Sequence, residues 1–149
     1  KKAGASLEEN AAYIEETLPR TCIWFTVDDL EYLKRGGRVS PAVAFVGGLL
    51  GIKPILKIND EGELIKVGTA RGKKKSLEAL ADRFTELADD LTTPIFISHA
   101  DSEEHVRTFA NIIKQRHNAD LTLVTEIGAV IGSHTGPGTL ALFFLGKHR

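Results

Sequence analysis

The segment GAVIGSHTGPGTLALFFLG at residues 128–146 constrains the fold more than any other part of the chain. Its glycine-rich first part predicts a short helix that carries His134, and residues 139–145 predict a buried strand. Glycines on either side of His134 let the backbone turn tightly or approach a ligand closely, and Pro137 stiffens the turn. The pattern places an imidazole at the mouth of an apolar element, where it can hold an anionic head group. An exposed histidine in a structural turn is the alternative.

Strands and helices alternate through the rest of the sequence. Two long amphipathic helices are predicted, one over residues 74–91 and one beginning after Asp101 or Ser102, each with a single apolar face. Further strands, two of them joined by a hairpin at 59–62, are predicted at 21–27, 52–58, 63–69, 94–99 and 120–126. This pattern predicts an α/β (α+β) fold of two layers, in which a mixed sheet of about six strands is covered by two long helices.

A second glycine break precedes an unusual apolar helix. A short helix over 29–35, with Asp28 as its N-cap, ends at two consecutive glycines, and Arg38 follows directly. The guanidinium of Arg38 offers a planar fork that suits a carboxylate, and an ion pair with a nearby acid is the alternative. The next predicted helix, residues 42–50, is almost wholly apolar, so it is either buried on all sides or faces an apolar surface outside this chain.

Composition excludes several classes of protein. The 149 residues suit one domain, and 42% apolar residues provide a core without a stretch long enough to span a membrane. A net charge of −1 gives no reason to expect nucleic-acid binding. The single cysteine, Cys22, lies in an apolar run and is predicted to be a buried small residue. Without a signal peptide, a cytoplasmic location is expected, and neither a cofactor nor a metal site is predicted.

A basic run, TARGKKK at residues 69–75, predicts a positively charged loop. A solvated loop is one interpretation, and a docking surface for an acidic partner or a phosphate is the other.

Three motifs in order resemble signatures of the DegV family: FTVDDLEYLKRGGRVS at 25–40, LLGIKPIL at 49–56 and GAVIGSHTGPG at 128–138. The resemblance implies a protein that binds a long-chain fatty acid in a tunnel between two domains and catalyses no reaction itself. It also implies a partner in bacteria, a fatty-acid kinase, which converts the presented acid to an acyl phosphate for phospholipid synthesis.

The resemblance also implies roles for individual residues. His134 would contact the carboxylate of the fatty acid, and Arg38 would lie near the same head group. Arg71, together with Lys73 and Lys74, would form the surface on which the kinase docks. The side chains expected to line the acyl tunnel are Phe45, Val46, Leu49, Leu50 and Ile131.

Residues 1–149 are expected to form a single domain, the C-terminal lipid-binding domain of such a protein without its N-terminal domain. Residues 1–19 would then form a helix from the inter-domain region, and an exposed apolar face would favour self-association. Two alternatives remain: an enzyme resembling dihydroxyacetone kinases, in which His134 engages a carbonyl substrate, and a structural domain that dimerises through the apolar helix at 42–50.

Overall fold

A six-stranded mixed sheet organises the computed structural model, which describes residues 4–40 and 51–149. The strand order is β3-β2-β1-β6-β4-β5. The strands are β1 (Thr21–Thr26), β2 (Ile52–Ile58), β3 (Leu64–Arg71), β4 (Phe96–Ala100), β5 (Leu123–Glu126) and β6 (Thr139–Leu145). The helices are α1 (Leu7–Thr17), α2 (Glu31–Arg35), α3 (Lys73–Leu87), α4 (Glu103–His117) and α5 (Ala129–Thr135), and a 3₁₀ turn spans Leu18–Arg20.

The strand pairing confirms the predicted mixed sheet. β4 and β5 run parallel, and the other neighbouring strands are antiparallel. The segment that follows His134 forms β6, which lies between β1 and β4 at the centre of the sheet. Leu140, Leu142 and Phe144 of its apolar run are almost fully buried there, because they pack into the main core on one face of the sheet.

The first face of the sheet is covered by α3 and α4, as the amphipathic patterns predict. Trp24 of β1 and Leu142 of β6 point to this face and pack with Phe84 of α3 and Phe109 of α4. The ring of Phe84 meets the ring of Phe144 edge to face, with 5.2 Å between their centroids. This cluster is the main hydrophobic core among the described residues.

Cys22 belongs to the same core, which confirms its predicted burial. Its thiol donates to the carbonyl oxygen of His148 over 3.2 Å. Burial raises the pKa of the Cys22 thiol to about 11, although Lys57 and Arg149 pull it downward.

The second face carries a smaller apolar cluster, which includes Phe25, Leu33 and Leu56. Alternation along β1 produces this division, because successive side chains of a strand point to opposite faces. α2 contributes Leu33 to the cluster and packs against α5. The predicted helix at 42–50 lies outside the described residues.

Two predicted boundaries are wrong because backbone pairing ends or extends an element. α3 stops at Leu87, since Ala88 becomes extended and forms a bridge with Gly146. Leu91, predicted on the buried face of this helix, is 42% exposed. The basic run is not a loop either, because β3 continues to Arg71 and α3 begins at Lys73, with only Gly72 between them at φ +82°.

Asp28 does not cap α2, whose N-cap is Leu30 without a side-chain hydrogen bond. Its carboxylate instead joins the ends of four elements. Asp28 Oδ1 lies 3.2 Å from Lys53 Nζ at the start of β2 and 3.0 Å from Lys73 Nζ at the start of α3. Lys73 Nζ also donates to the carbonyl oxygen of Gly138, just before β6. Burial alone would raise the pKa of the Asp28 carboxyl, but the two lysines outweigh it and hold this pKa below its usual value.

We expect Phe84→Ala to lower the free energy of unfolding by about 3–5 kcal/mol, because it empties a fully buried site in the main core. Urea denaturation followed by circular dichroism measures the change. Leu91→Ala serves as the control in the same segment and should stay within about 0.5 kcal/mol of the wild type. An equally large loss at Leu91 would contradict the early end of α3.

Asp28→Asn should destabilise the protein at neutral pH, because it leaves the half-buried Lys73 without its anionic partner. The pKa of Asp28 is lower in the folded state than in the unfolded chain. The stabilising effect of its charge is therefore complete above the unfolded value near 4 and disappears as the pH falls through the folded value. Urea midpoints of wild type and variant should differ at pH 6 and converge in stronger acid. A constant difference at all pH values would argue against this ion pair.

Candidate functional site

An apolar pocket of about 390 Å³ opens on the second face of the sheet. This volume falls within the range of small-molecule sites. Side chains from β1, β2, β3, β6, α2 and α5 surround it, and most of them are apolar. The lining residues are Ile23, Phe25, Leu33, Arg38, Ile58, Leu64, Ile127, Val130, Ile131, His134, Thr135, Thr139, Ala141 and Phe143.

His134 and Arg38 both line this one pocket. The main chain brings Arg38 there, because its N–H donates to Leu33 O at the end of α2 over 2.8 Å. Its guanidinium Nη1 donates to Gly36 O over 2.6 Å. Among the described residues no carboxylate pairs with Arg38, while Glu31 is paired with Lys34 and Arg35.

The His134 ring lies directly against the glycine that ends α2. A Cβ atom at Gly36 would come within 2.1 Å of His134 Nδ1. The backbone of Gly36 has φ −75°, which any residue adopts, so the glycine is needed for space and not for its conformation. The absence of a side chain at this position allows the ring of His134 to reach the loop that carries Arg38.

A second glycine makes the reciprocal contact. A Cβ atom at Gly136, after α5, would lie 2.6 Å from Cδ2 of Tyr32 on α2. Gly136 also has φ +75°, in the left-handed region that favours glycine. Each of the two helices therefore ends in a glycine that receives an aromatic side chain from the other helix. We call these four residues (Tyr32, Gly36, His134 and Gly136) the glycine clasp.

Sequence reasoning recognised Gly36 as the end of a helix and Gly136 as a position for a tight turn or for close approach to a ligand, and it did not identify Tyr32. No local pattern signals such a contact, because its two halves lie about a hundred residues apart in the chain. The sequence shows only that each helix carries an aromatic residue a few positions before its terminal glycine.

The two threonines of the pocket hold the turn between α5 and β6. Thr139 Oγ1 donates to Gly136 O over 2.8 Å, and Thr135 Oγ1 donates to Ile131 O over 3.1 Å. Each hydroxyl has one hydrogen, so these bonds leave the oxygens as acceptors. The strongest donors that line the pocket are therefore the guanidinium of Arg38 and the imidazole of His134. No acidic side chain belongs to the described lining. A molecule with an anionic end and an apolar body suits this arrangement.

The apolar surface continues beyond the pocket toward β5. Phe143 pairs with Phe96, and Phe96 pairs with Leu123, so the three side chains share one face of the sheet. Phe96 and Leu123 are exposed, and Val130 on α5 is 75% exposed. This row of apolar side chains extends the surface available to a long apolar ligand.

The residues predicted to line the acyl tunnel and those predicted to dock the kinase have different outcomes in the structure. Ile131 lines the pocket, whereas Phe45, Val46, Leu49 and Leu50 lie outside the described residues. Arg71 and Lys74 are exposed at the end of β3 and the start of α3. Lys73 is separated from them, because its side chain is 13% exposed and is held by Asp28.

The described part of the chain contains neither a membrane-spanning helix nor a cluster of metal-binding side chains. No helix there is long and apolar enough to cross a membrane. No group of three or more histidine, cysteine or acidic side chains is arranged there to bind a metal ion.

Comparisons with known proteins identify relatives of the whole chain. A DegV domain-containing protein of Clostridium perfringens is 47% identical over 150 residues, with 98% of this chain and 50% of that protein covered. The chain spans about half the length of the curated relatives it matches.

Two solved structures show the same fold. A DegV family protein from Eubacterium eligens, loaded with heptadecanoic acid, is 27% identical with a TM-score of 0.87 over 98% of this chain and 52% of its own. A DegV family protein from Thermus thermophilus, described by its fatty-acid binding, is 35% identical with a TM-score of 0.82, over 97% and 52% of the two chains. A family model described as an uncharacterised protein of the DegV family matches residues 1–147. The chain belongs to the DegV family.

Proposed function

We propose that this domain binds a long-chain fatty acid, with the carboxylate at His134 and Arg38 and the acyl chain along the apolar pocket. The observation that supports the proposal most directly is the lining of the pocket, where both donors meet a wall of apolar side chains. A planar guanidinium and an imidazole N–H both suit a carboxylate. The fatty acids bound by the Eubacterium eligens and Thermus thermophilus proteins support the same ligand class.

The acyl chain would supply most of the affinity. Burial of apolar surface yields about 0.8 kcal/mol per methylene, so a tail of about 16 carbons gains roughly 10 kcal/mol before ordering costs. The charged head group gains little net free energy, because its desolvation offsets its attraction to Arg38. His134 and Arg38 would therefore fix the orientation of the ligand and select a carboxylate over an uncharged head group.

The row of exposed apolar side chains beside the pocket favours an arrangement in which a second layer of protein would cover the acyl chain. Phe96 and Leu123 continue the pocket toward β5 without a covering element among the described residues. In the longer protein, the half that this chain does not span would supply the opposite wall of the tunnel. We propose this arrangement because the relatives have about twice the length of the chain.

We also propose that the domain presents the bound acid to a fatty-acid kinase and catalyses no reaction itself. The exposed cations Arg71 and Lys74 would contact an acidic surface of that kinase. Lys73 would take no direct part, since its ammonium group is held by Asp28 and Gly138.

His134→Ala should weaken the binding of hexadecanoate about tenfold or more, the effect of losing one hydrogen bond to a charged group. The affinity for methyl hexadecanoate, which lacks the carboxylate, should change little. Isothermal titration calorimetry measures both ligands. His148→Ala, at an exposed histidine outside the pocket, is the control. Equal hexadecanoate affinity in the two variants would exclude His134 from the head-group site.

Charge reversal at Arg71 and Lys74 should slow acyl-phosphate formation by a fatty-acid kinase and leave fatty-acid affinity unchanged. The reason is that both side chains are exposed and neither lines the pocket. The assay follows kinase turnover with the loaded protein as substrate, and Lys147→Glu, at an exposed lysine elsewhere, controls for a charge reversal outside the proposed docking surface. Unaltered turnover in the double variant would remove this surface from the proposal.

A further inference from the structure

The orientation of the His134 ring is set by packing and not by a hydrogen bond. Among the described residues its ring nitrogens form no hydrogen bond, although the side chain is half-buried. Nδ1 is the ring atom nearest to the position of a Gly36 Cβ, at 2.1 Å, while Cε1 and Cγ are about one ångström farther away. The Nδ1 edge of the ring is thus closed by the α-carbon of Gly36, and the Nε2 edge points away from this glycine.

This contact distinguishes the two neutral forms of the imidazole. A neutral ring carries one hydrogen, on either Nδ1 or Nε2. A hydrogen on Nδ1 would point at an α-carbon, which accepts no hydrogen bond. An unprotonated Nδ1 instead makes a tolerable contact with the α-hydrogen of Gly36. The packing therefore favours the form in which Nε2 carries the hydrogen.

We propose that Gly36 and Tyr32 are positioning residues, which hold His134 as the neutral Nε2–H form and direct this donor at the ligand carboxylate. The inference rests on the proposed function, because it concerns the same head-group site. A neutral donor with a fixed direction recognises a carboxylate without first taking up a proton.

Tyr32 contributes by fixing the end of α5. Its ring covers Gly136, two residues after His134, and the guanidinium of Arg35 lies 5.9 Å from the centroid of the same ring. α2 therefore supplies both contacts that define the His134 ring: Gly36 limits its rotation, and Tyr32 sets the position of the backbone that carries it.

Gly36→Ala tests the proposal directly. The backbone conformation of Gly36 is one that alanine adopts, so the urea midpoint should stay nearly unchanged. The added methyl group should displace the ring of His134. We expect the preference for hexadecanoate over methyl hexadecanoate to fall about tenfold. Gly128→Ala is the matched control, because a Cβ there meets open space.

Nitrogen NMR of the protein labelled with ¹⁵N-histidine reports the form of the ring itself. We expect the His134 signals of the wild type to show a hydrogen on Nε2 only, and those of Gly36→Ala to show a mixture of forms. Tyr32→Phe, which keeps the ring over Gly136, should resemble the wild type, and Tyr32→Ala should resemble Gly36→Ala.

Two substitutions of the histidine separate the nitrogens. The amide nitrogen of glutamine reaches about as far as Nε2, and that of asparagine about as far as Nδ1. His134→Gln should therefore retain most of the preference for the carboxylate, while His134→Asn should lose it. Gly36→Ala should have no further effect on this preference in a His134→Ala background.

The outcomes separate this inference from the proposed function. Wild-type protein that binds no hexadecanoate would overturn both. Wild-type binding with an unchanged preference in Gly36→Ala, or with a hydrogen on His134 Nδ1, would overturn the positioning role alone.

Discussion

The packing of α2 against α5 through the glycine clasp determines the position of the donors in the pocket. Neither helix is long enough to be stable alone, since each has fewer than eight residues. Their stability comes from burial against the second face of the sheet and from contact with each other. The clasp permits this contact at short range, because each glycine leaves room for the aromatic ring of the other helix. Arg38 and His134 meet as a direct result.

The charged cluster around Asp28 supports the same arrangement from the other side of the sheet. Asp28 follows β1, Lys53 lies on β2, Lys73 begins α3 and Gly138 precedes β6. These ion pairs therefore tie the start of β6 to the end of β1. Since α5 leads directly into β6, the cluster also limits the movement of the segment that carries His134. A partly buried anion between two lysines is well suited to this task, because removal of one partner leaves a charge in a poorly solvated place.

The fold followed from the sequence because periodicity and turn residues act locally. β6, both long helices and the hairpin after β2 are each encoded within a dozen or so residues, and their patterns predicted them. The predicted boundaries were wrong where pairing with a distant part of the backbone determined where a helix or strand ends. Gly146 pairs with Ala88 and ends α3, and the pairing of β3 with β2 absorbs part of the basic run.

The site was predictable only in part for the same reason. His134 and Arg38 were recognised by their chemistry and their motifs, and the structure shows that they line one pocket. Tyr32 carries no chemical signature, and its role depends on Gly136 at the far end of the chain. The function of Asp28 was misread because N-capping is the commonest use of an aspartate before a helix, and its lysine partners lie in other elements.

The buried Cys22 has a practical consequence for experiments on this protein. Thiol reagents attack the thiolate, and a buried thiol with a pKa of about 11 offers almost none of it at neutral pH. The one native cysteine of the folded protein therefore reacts very slowly with thiol reagents. A cysteine introduced at the exposed Val130 would accept a fluorophore selectively at the rim of the pocket. Slow modification of Cys22 in the same protein would then report how often the hydrophobic core opens.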